Sequence, residues 1–157
     1  LMSCEGEPGA GPMIDTVRSY MQRTCSMDLF WFDKWHASPY YVTAHAILAA
    51  IHLDNALIED AAFWIQQTQR EDGSWGYYRM RTVEETAYCL QALIAYEREV
   101  GGIPEDTLHK AADYLRSHWG EEDHPPLWIA KSLFAPTNII ESAIISAMAM
   151  YERWAGG

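Results

Sequence analysis

The chain has 157 residues, 49% of them apolar, and a formal net charge of −11 at pH 7. That length and apolar content exclude a disordered tail and allow one domain with its own core, while the acidic balance excludes a nucleic-acid binder, whose phosphate contacts need clustered Lys and Arg. No apolar run reaches the ~18 residues of a membrane span, and Leu1 opens neither a basic flank nor a signal-peptide core, so a cytoplasmic protein with no transmembrane segment is the default expectation.

Residues 1–12, rich in Gly and Pro, read as an irregular segment, and residues 13–157 as three outer/inner helical hairpins. A first helical pattern covers 14–23. Ser38-Pro39 fits an N-cap followed by N1, opening an inner helix through 43–51. An outer helix over about 58–70 carries charge on one face and ends in the turn Gln69-Arg70-Glu71-Asp72-Gly73-Ser74-Trp75-Gly76. Thr82-Val83-Glu84-Glu85 is a capping box for the next inner helix, which Gly101-Gly102 closes. A second charged outer helix is expected over 105–118. Asn138-Ile139-Ile140-Glu141 offers another capping box for a last inner helix over 139–150, whose side chains are small or apolar nearly all round and imply burial on every side. No stretch reads convincingly as a strand.

The inner helices repeat: residues 43–51 align without gaps on 86–94, and Ala95-Tyr96-Glu97-Arg98 is echoed by Met150-Tyr151-Glu152-Arg153. The outer helices echo as well, Ala61-Ala62-Phe63-Trp64-Ile65 against Ala111-Ala112-Asp113-Tyr114-Leu115. Helical pairs recurring every roughly forty to fifty-five residues signal an all-α, stacked or toroidal hairpin fold. A closed ring needs about six such hairpins, so three form about half of one and leave an apolar edge to be covered. Chance similarity among Ala-rich helices is the competing explanation of these short echoes.

Cys4, Cys25 and Cys89 are odd in number and widely spaced, with no Cys-x-x-Cys pair, so neither a disulfide framework nor a metal site is indicated, and no cofactor is expected on this chain. Aromatic residues make up 13% of the sequence; they serve packing first, but also suit a pocket for something apolar or cationic. Trp35, His36, Tyr40 and Tyr41 form the densest local cluster, with Lys34 beside them. They read equally as a cavity wall with a point charge for an anion and as an interhelical loop in which Asp33 pairs with Lys34 and Trp35 fills a gap. His36 fits a helix-capping loop histidine better than a base, and His45 a satisfied core histidine. Tyr77, Tyr78 and Arg79 follow the turn toward the next inner helix, where a rim role competes with plain packing. Met148, Met150 and Tyr151 read as core.

The turn and its upstream pair, Trp64, Ile65, Gln69, Gly73 and Trp75, resemble the "QW" repeat of squalene-hopene and oxidosqualene cyclases. There the Gln amide satisfies backbone groups at a helix end and the indole fixes the turn, a structural role with no catalytic content. A second copy is eroded, with Trp119 where the Gln would fall. Two further stretches, residues 31–46 (including Asp33-Lys34-Trp35-His36-Ala37-Ser38-Pro39-Tyr40-Tyr41) and 127–136 (Trp128-Ile129-Ala130-Lys131-Ser132-Leu133-Phe134), are similar to the C-terminal region of class II diterpene cyclases of the microbial copalyl-diphosphate-synthase type. Ala130 replaces a Gly and Phe134 a Tyr of that pattern. The resemblance runs over about residues 30–155, in the expected order.

The resemblance implies a β domain paired with a second α-barrel and geranylgeranyl diphosphate bound between them, with Mg2+ possible on the diphosphate. An Asp-x-Asp-Asp motif protonates the terminal alkene and a bicyclic copalyl- or halimadienyl-type diphosphate results. It also makes Lys34 and Lys131 candidates for the diphosphate. Asp-x-Asp-Asp is absent: Glu59-Asp60, Glu105-Asp106 and Glu121-Glu122-Asp123 do not match it, and the aspartate-rich metal motif of class I terpene synthases is missing too. In the family the acid lies upstream, so the chain is expected to be the C-terminal part of the β domain, inactive alone, with the missing N-terminal portion or another chain covering its open flank. Cys4-Glu5-Gly6-Glu7-Pro8 resembles a Gly-Glu element that an inner helix normally follows, and here that helix is lacking. The alternatives are a triterpene cyclase fragment, which would need repeated complete QW turns, and a noncatalytic α-toroid that binds a partner.

Overall fold

A computed structural model describes residues 10–53, 55–121 and 123–157. The order is α1 (Ala10–Thr24), α2 (Pro39–Ala50), α3 (Asn55–Gln67), α4 (Val83–Glu99), α5 (Glu105–Ser117), β1 (Trp128–Ile129), β2 (Leu133–Phe134) and α6 (Thr137–Ala155). Helix α4 packs against both α2 and α6, while α3 covers α2 and α4 and α5 covers α4 and α6. The helices thus alternate between an inner layer, α2-α4-α6, and an outer one, α3 and α5. Ile47, Ile58, Ile65, Leu90, Leu93, Ile94, Leu108, Leu115 and Ile140 fill the seam between them.

The caps explain where the inner helices start. Ser38 accepts the Tyr40 N–H on its hydroxyl and Pro39 follows at N1; Thr82 accepts the Glu85 N–H at 3.0 Å. The positive φ of Gly101 ends α4, its N–H donating to the Tyr96 carbonyl. At the turn after α3, Gln69 Nε2 donates to the carbonyls of Gly73 (3.1 Å) and Thr107 (2.9 Å), the latter in the first turn of α5. The amide therefore ties two hairpins together as well as closing its own turn. Trp75 is fully buried and its indole donates to the Ile65 carbonyl at 2.7 Å, so a hydrogen bond fixes the turn. Gly73 has φ +86°, and a Cβ there would run into the Lys110 carbonyl oxygen, so glycine is required twice over. Asp72 accepts from the Ser74 hydroxyl at 2.6 Å, and chiefly this bond, with help from Arg81, holds its carboxyl below the usual range.

Several expectations are corrected. Helix α1 already includes residues 10–12; residues 1–9, with Cys4 and the Gly6-Glu7 element, lie outside the described residues, as does Glu122. Helix α3 ends at Gln67, so Gln69 and Arg70 belong to the turn. Strands do exist: Trp128 pairs with Phe134 and Ile129 with Leu133, antiparallel, too short to carry a periodicity. Asn138 caps nothing, because α6 begins at Thr137 after Pro136.

The last inner helix is also not buried all round. Ile140, Ala143, Ile144, Ala147 and Tyr151 are buried, but Ile139 and Ile145 stand 45% and 55% exposed because α6 meets α4 and α5 on one side only. His45 is exposed rather than core, its Nδ1 turned to the Tyr41 carbonyl at 2.7 Å. The α2 surface bearing it is not covered by the packing of α2 on α3 and α4. Helix α1 has no buried residue and is tied on through the Trp31 indole, which donates to the Met21 carbonyl.

Candidate functional site

The inner helices α2 and α4 begin at one end of the fold, and the loops before them meet there. Asp33 accepts the N–H groups of Trp35 and His36, both at 2.8 Å, which curls residues 33–36 and leaves Lys34 outside, its ammonium 4.8 Å from the Trp35 ring centroid. Asp33 thus pairs with backbone instead of Lys34. Beyond the curl the chain runs antiparallel to residues 127–129: Ala37 N–H donates to Leu127 O at 2.7 Å and Ile129 N–H to Trp35 O at 2.8 Å. With β2 alongside, the result is a narrow strip of three segments. Lys34 lies in the curl just before Trp35, and Lys131 in the bend that joins β1 to β2. The two lysines, almost a hundred residues apart in sequence, each flank the Trp35–Ile129 pair within two residues and are both exposed.

Two buried carboxylates hold this end together. Glu84 is 1% exposed; its Oε1 accepts from Trp128 Nε1 at 2.7 Å and lies 3.4 Å from both His36 Nε2 and the Tyr88 hydroxyl. His36 is equally buried; its Nδ1 lies 3.1 Å from both the N–H and the carbonyl oxygen of Ser38, and its Nε2 faces Glu84. Glu85, also 1% exposed, accepts from the Ser38 hydroxyl (2.5 Å), the Thr82 hydroxyl (2.7 Å) and the Tyr77 N–H (3.0 Å). Around Glu84 stand Tyr41, stacked 4.9 Å from His36, with Tyr88 and Trp128 edge-on to it. Burial pushes the Tyr88 phenol well above its ordinary range, reinforced by the charge of Glu84, and raises Tyr41 less.

The exposed face of this end is aromatic. Trp35 is 56%, Tyr78 58% and Tyr77 41% exposed, and Phe32 meets Tyr77 edge-on at 5.9 Å. The Tyr78 hydroxyl donates to Ala37 O at 2.9 Å, locking the turn after α3 to the strip. The structure therefore puts Trp35, Tyr77 and Tyr78 on one exposed face with His36 and Tyr41 just beneath it, and Lys34 and Lys131 each within two residues of the Trp35–Ile129 pair. Tyr40 goes elsewhere: it is buried and stacked on Trp64 of α3 at 4.8 Å. Glu84, Glu85 and Tyr88 escaped sequence reasoning because acids in a first helical turn are expected to face water. The available signal was that α4 must be covered on both flanks if it is the middle inner helix.

A model of the squalene-hopene cyclase C-terminal domain matches residues 1–89. The chain is 46% identical over 124 residues to a type B diterpene cyclase of Mycobacterium tuberculosis, a match covering 78% of this chain and 25% of the relative. It is 39% identical to a copalyl diphosphate synthase of Streptomyces anulatus, covering 87% and 25%. The solved structure of ent-copalyl diphosphate synthase from Streptomyces platensis superposes with a TM-score of 0.82 at 36% identity, over 90% of this chain and 28% of that one. The alternating inner and outer layers are thus those of the helical toroid of terpene cyclases. The chain belongs to the squalene-hopene cyclase C-terminal domain family and, within it, corresponds to the C-terminal part of class II diterpene cyclases. It spans about a quarter of the length of these relatives. No helix among the described residues is long and apolar enough to cross a membrane.

Proposed function

We propose that this chain builds part of the β-domain barrel of an enzyme that converts geranylgeranyl diphosphate into a bicyclic, copalyl- or halimadienyl-type diphosphate by protonation-initiated cyclisation. The observation that carries the reading is the strip, in which the pairing of Trp35 with Ile129 joins the two segments that bear Lys34 and Lys131 at the aromatic end of the fold. In this reaction a carboxylic acid gives its proton to the terminal alkene, π electrons close two rings, and a proton leaves the final cation while the C–O bond to the diphosphate stays intact. Trp35, Tyr77 and Tyr78 present π faces that stabilise a passing cation, and the two ammonium groups face the diphosphate.

The acid itself comes from outside these 157 residues, since no Asp-x-Asp-Asp is among them. Glu84 and Glu85 do not replace it: Glu84 is buried beneath Trp128, whose indole its Oε1 accepts, and both Glu85 oxygens accept from the hydroxyls of Ser38 and Thr82. The described residues contain no group of three His, Cys, Asp or Glu able to hold a metal ion. The open face of α6, where Trp119, Ile144 and Ile145 line a cavity of about 310 Å3, is then covered by the remaining part of the same barrel or by another chain. The names of the relatives, diterpene cyclase and copalyl diphosphate synthase, support this reading over a triterpene cyclase or a noncatalytic module.

Incubated with geranylgeranyl diphosphate, the isolated chain is expected to bind it and release it unchanged. Lys34→Ala and Lys131→Ala should each weaken that binding several-fold, as expected for loss of one partly solvated charge contact. A cyclised product from the isolated chain, or affinity indifferent to both lysines, would overturn the assignment of roles.

A further inference from the structure

We infer that Glu84 is a positioning residue of this end of the fold: its Oε1 orients the Trp128 indole and the His36 ring, and through them the pairing of residues 35–37 with 127–129 that Lys34 and Lys131 flank. The inference rests on reading the lysine end as the diphosphate subsite, and adds the residue that aligns it. A carboxylate in the first turn of a helix ordinarily faces water. Glu84 instead turns inward, toward donors from two segments distant in sequence: His36 of the loop before α2 and Trp128 of β1. All these bonds run through Oε1, since Oε2 has no hydrogen-bond partner among the described residues. Burying a carboxylate is costly unless donors compensate it; stability alone would favour an apolar side chain here.

The consequence of the bonds is geometric. The His36 and Trp128 rings meet edge-on at 5.3 Å, directly across the antiparallel bridge between these two residues. Oε1 grips both sides of that bridge from below. Without it the indole is free to turn, and the pairing of Ile129 with Trp35 loses its anchor.

The test uses the 157-residue chain with inorganic pyrophosphate as probe, following the indole N–H proton resonance of Trp128, assigned by its loss in Trp128→Phe. In the parent chain that resonance should lie downfield, as for a proton shared with a carboxylate. Glu84→Leu should return it to the free-indole position and weaken pyrophosphate binding about tenfold, the loss of one charge-assisted alignment. Glu84→Gln, which keeps an acceptor oxygen, should retain most of the affinity. Glu84→Leu combined with Trp128→Phe should cost no more than the stronger single change. An unshifted indole in Glu84→Leu, or losses that multiply in the double variant, would mean Glu84 merely supports the fold. If Glu84→Leu does not fold, the cycle of Glu84→Gln with Trp128→Phe decides in the same way. Absence of pyrophosphate binding by the parent chain would instead defeat the subsite reading, and the indole resonance would then judge Glu84 alone.

Discussion

Trp75→Ala should destabilise the chain by about 4 kcal/mol or more, a large share of the about 5–15 kcal/mol that holds a domain of this size folded. Trp75 is 0% exposed and occupies the joint between α3 and α4. Its removal costs about 3–5 kcal/mol in lost burial and cavity formation. It also removes the indole donor from the Ile65 carbonyl, which keeps the Thr68 hydroxyl and N–H, for about a further 0.5–1.5 kcal/mol. The backbone bonds of Trp75, N–H to Thr86 Oγ1 and carbonyl from the Thr82 N–H, align the cap of α4. The damage should therefore spread from the turn into the central helix. A urea titration followed by far-ultraviolet circular dichroism measures the loss. A midpoint within error of the parent would show that the turn does not brace the fold.

Glu85→Ala is expected to destabilise the chain by about 3 kcal/mol or more, since hydrogen bonds to a buried charge contribute about 1.5–3 kcal/mol each without adding fully. The Ser38 hydroxyl, the Thr82 hydroxyl and the Tyr77 N–H would all lose their acceptor. These three groups belong to the loop before α2, the cap of α4 and the turn that carries the exposed tyrosines. The loss should accordingly be larger at the aromatic end than elsewhere. Hydrogen exchange of the Tyr77 amide should accelerate well beyond that of core amides in α4, such as Leu90. Glu85→Gln, retaining one acceptor oxygen, should fall between the parent and the alanine variant. Uniform acceleration across α4 with no excess at Tyr77 would argue against a local clasp.

These two residues also mark what the amino-acid sequence discloses and what it hides. Trp75 is legible because Gln69, Gly73 and Trp75 act within one turn, where spacing and chemistry specify each other. Ser38-Pro39 and Gly101-Gly102 are legible for the same reason: caps are local. Glu84 and Glu85 look like ordinary first-turn acids, and only the neighbours that α2 and the Trp128 strand bring to α4 bury them. The strip itself is invisible in sequence, since two two-residue strands and a single bridge from His36 to Trp128, some ninety residues on, leave no periodicity. Helix α6 is a different case: its apolar circumference predicts burial on every side, yet the described residues cover only one. His45 was misplaced because a helix can be inner in the barrel and still turn one flank away from its neighbours.

The central claim is that this end of the fold belongs to a diphosphate-retaining cyclase site completed by an acid from elsewhere. The most direct measurement exchanges these residues for the 28% of the Streptomyces platensis ent-copalyl diphosphate synthase that they match. The folded chimera is then supplied with geranylgeranyl diphosphate, and the products are dephosphorylated and separated by gas chromatography with mass spectrometry. A bicyclic diterpene alcohol, formed by the chimera and lost when Lys34 and Lys131 are both replaced by alanine, is the predicted result. A chimera that folds and binds the substrate yet returns only geranylgeraniol would contradict the account.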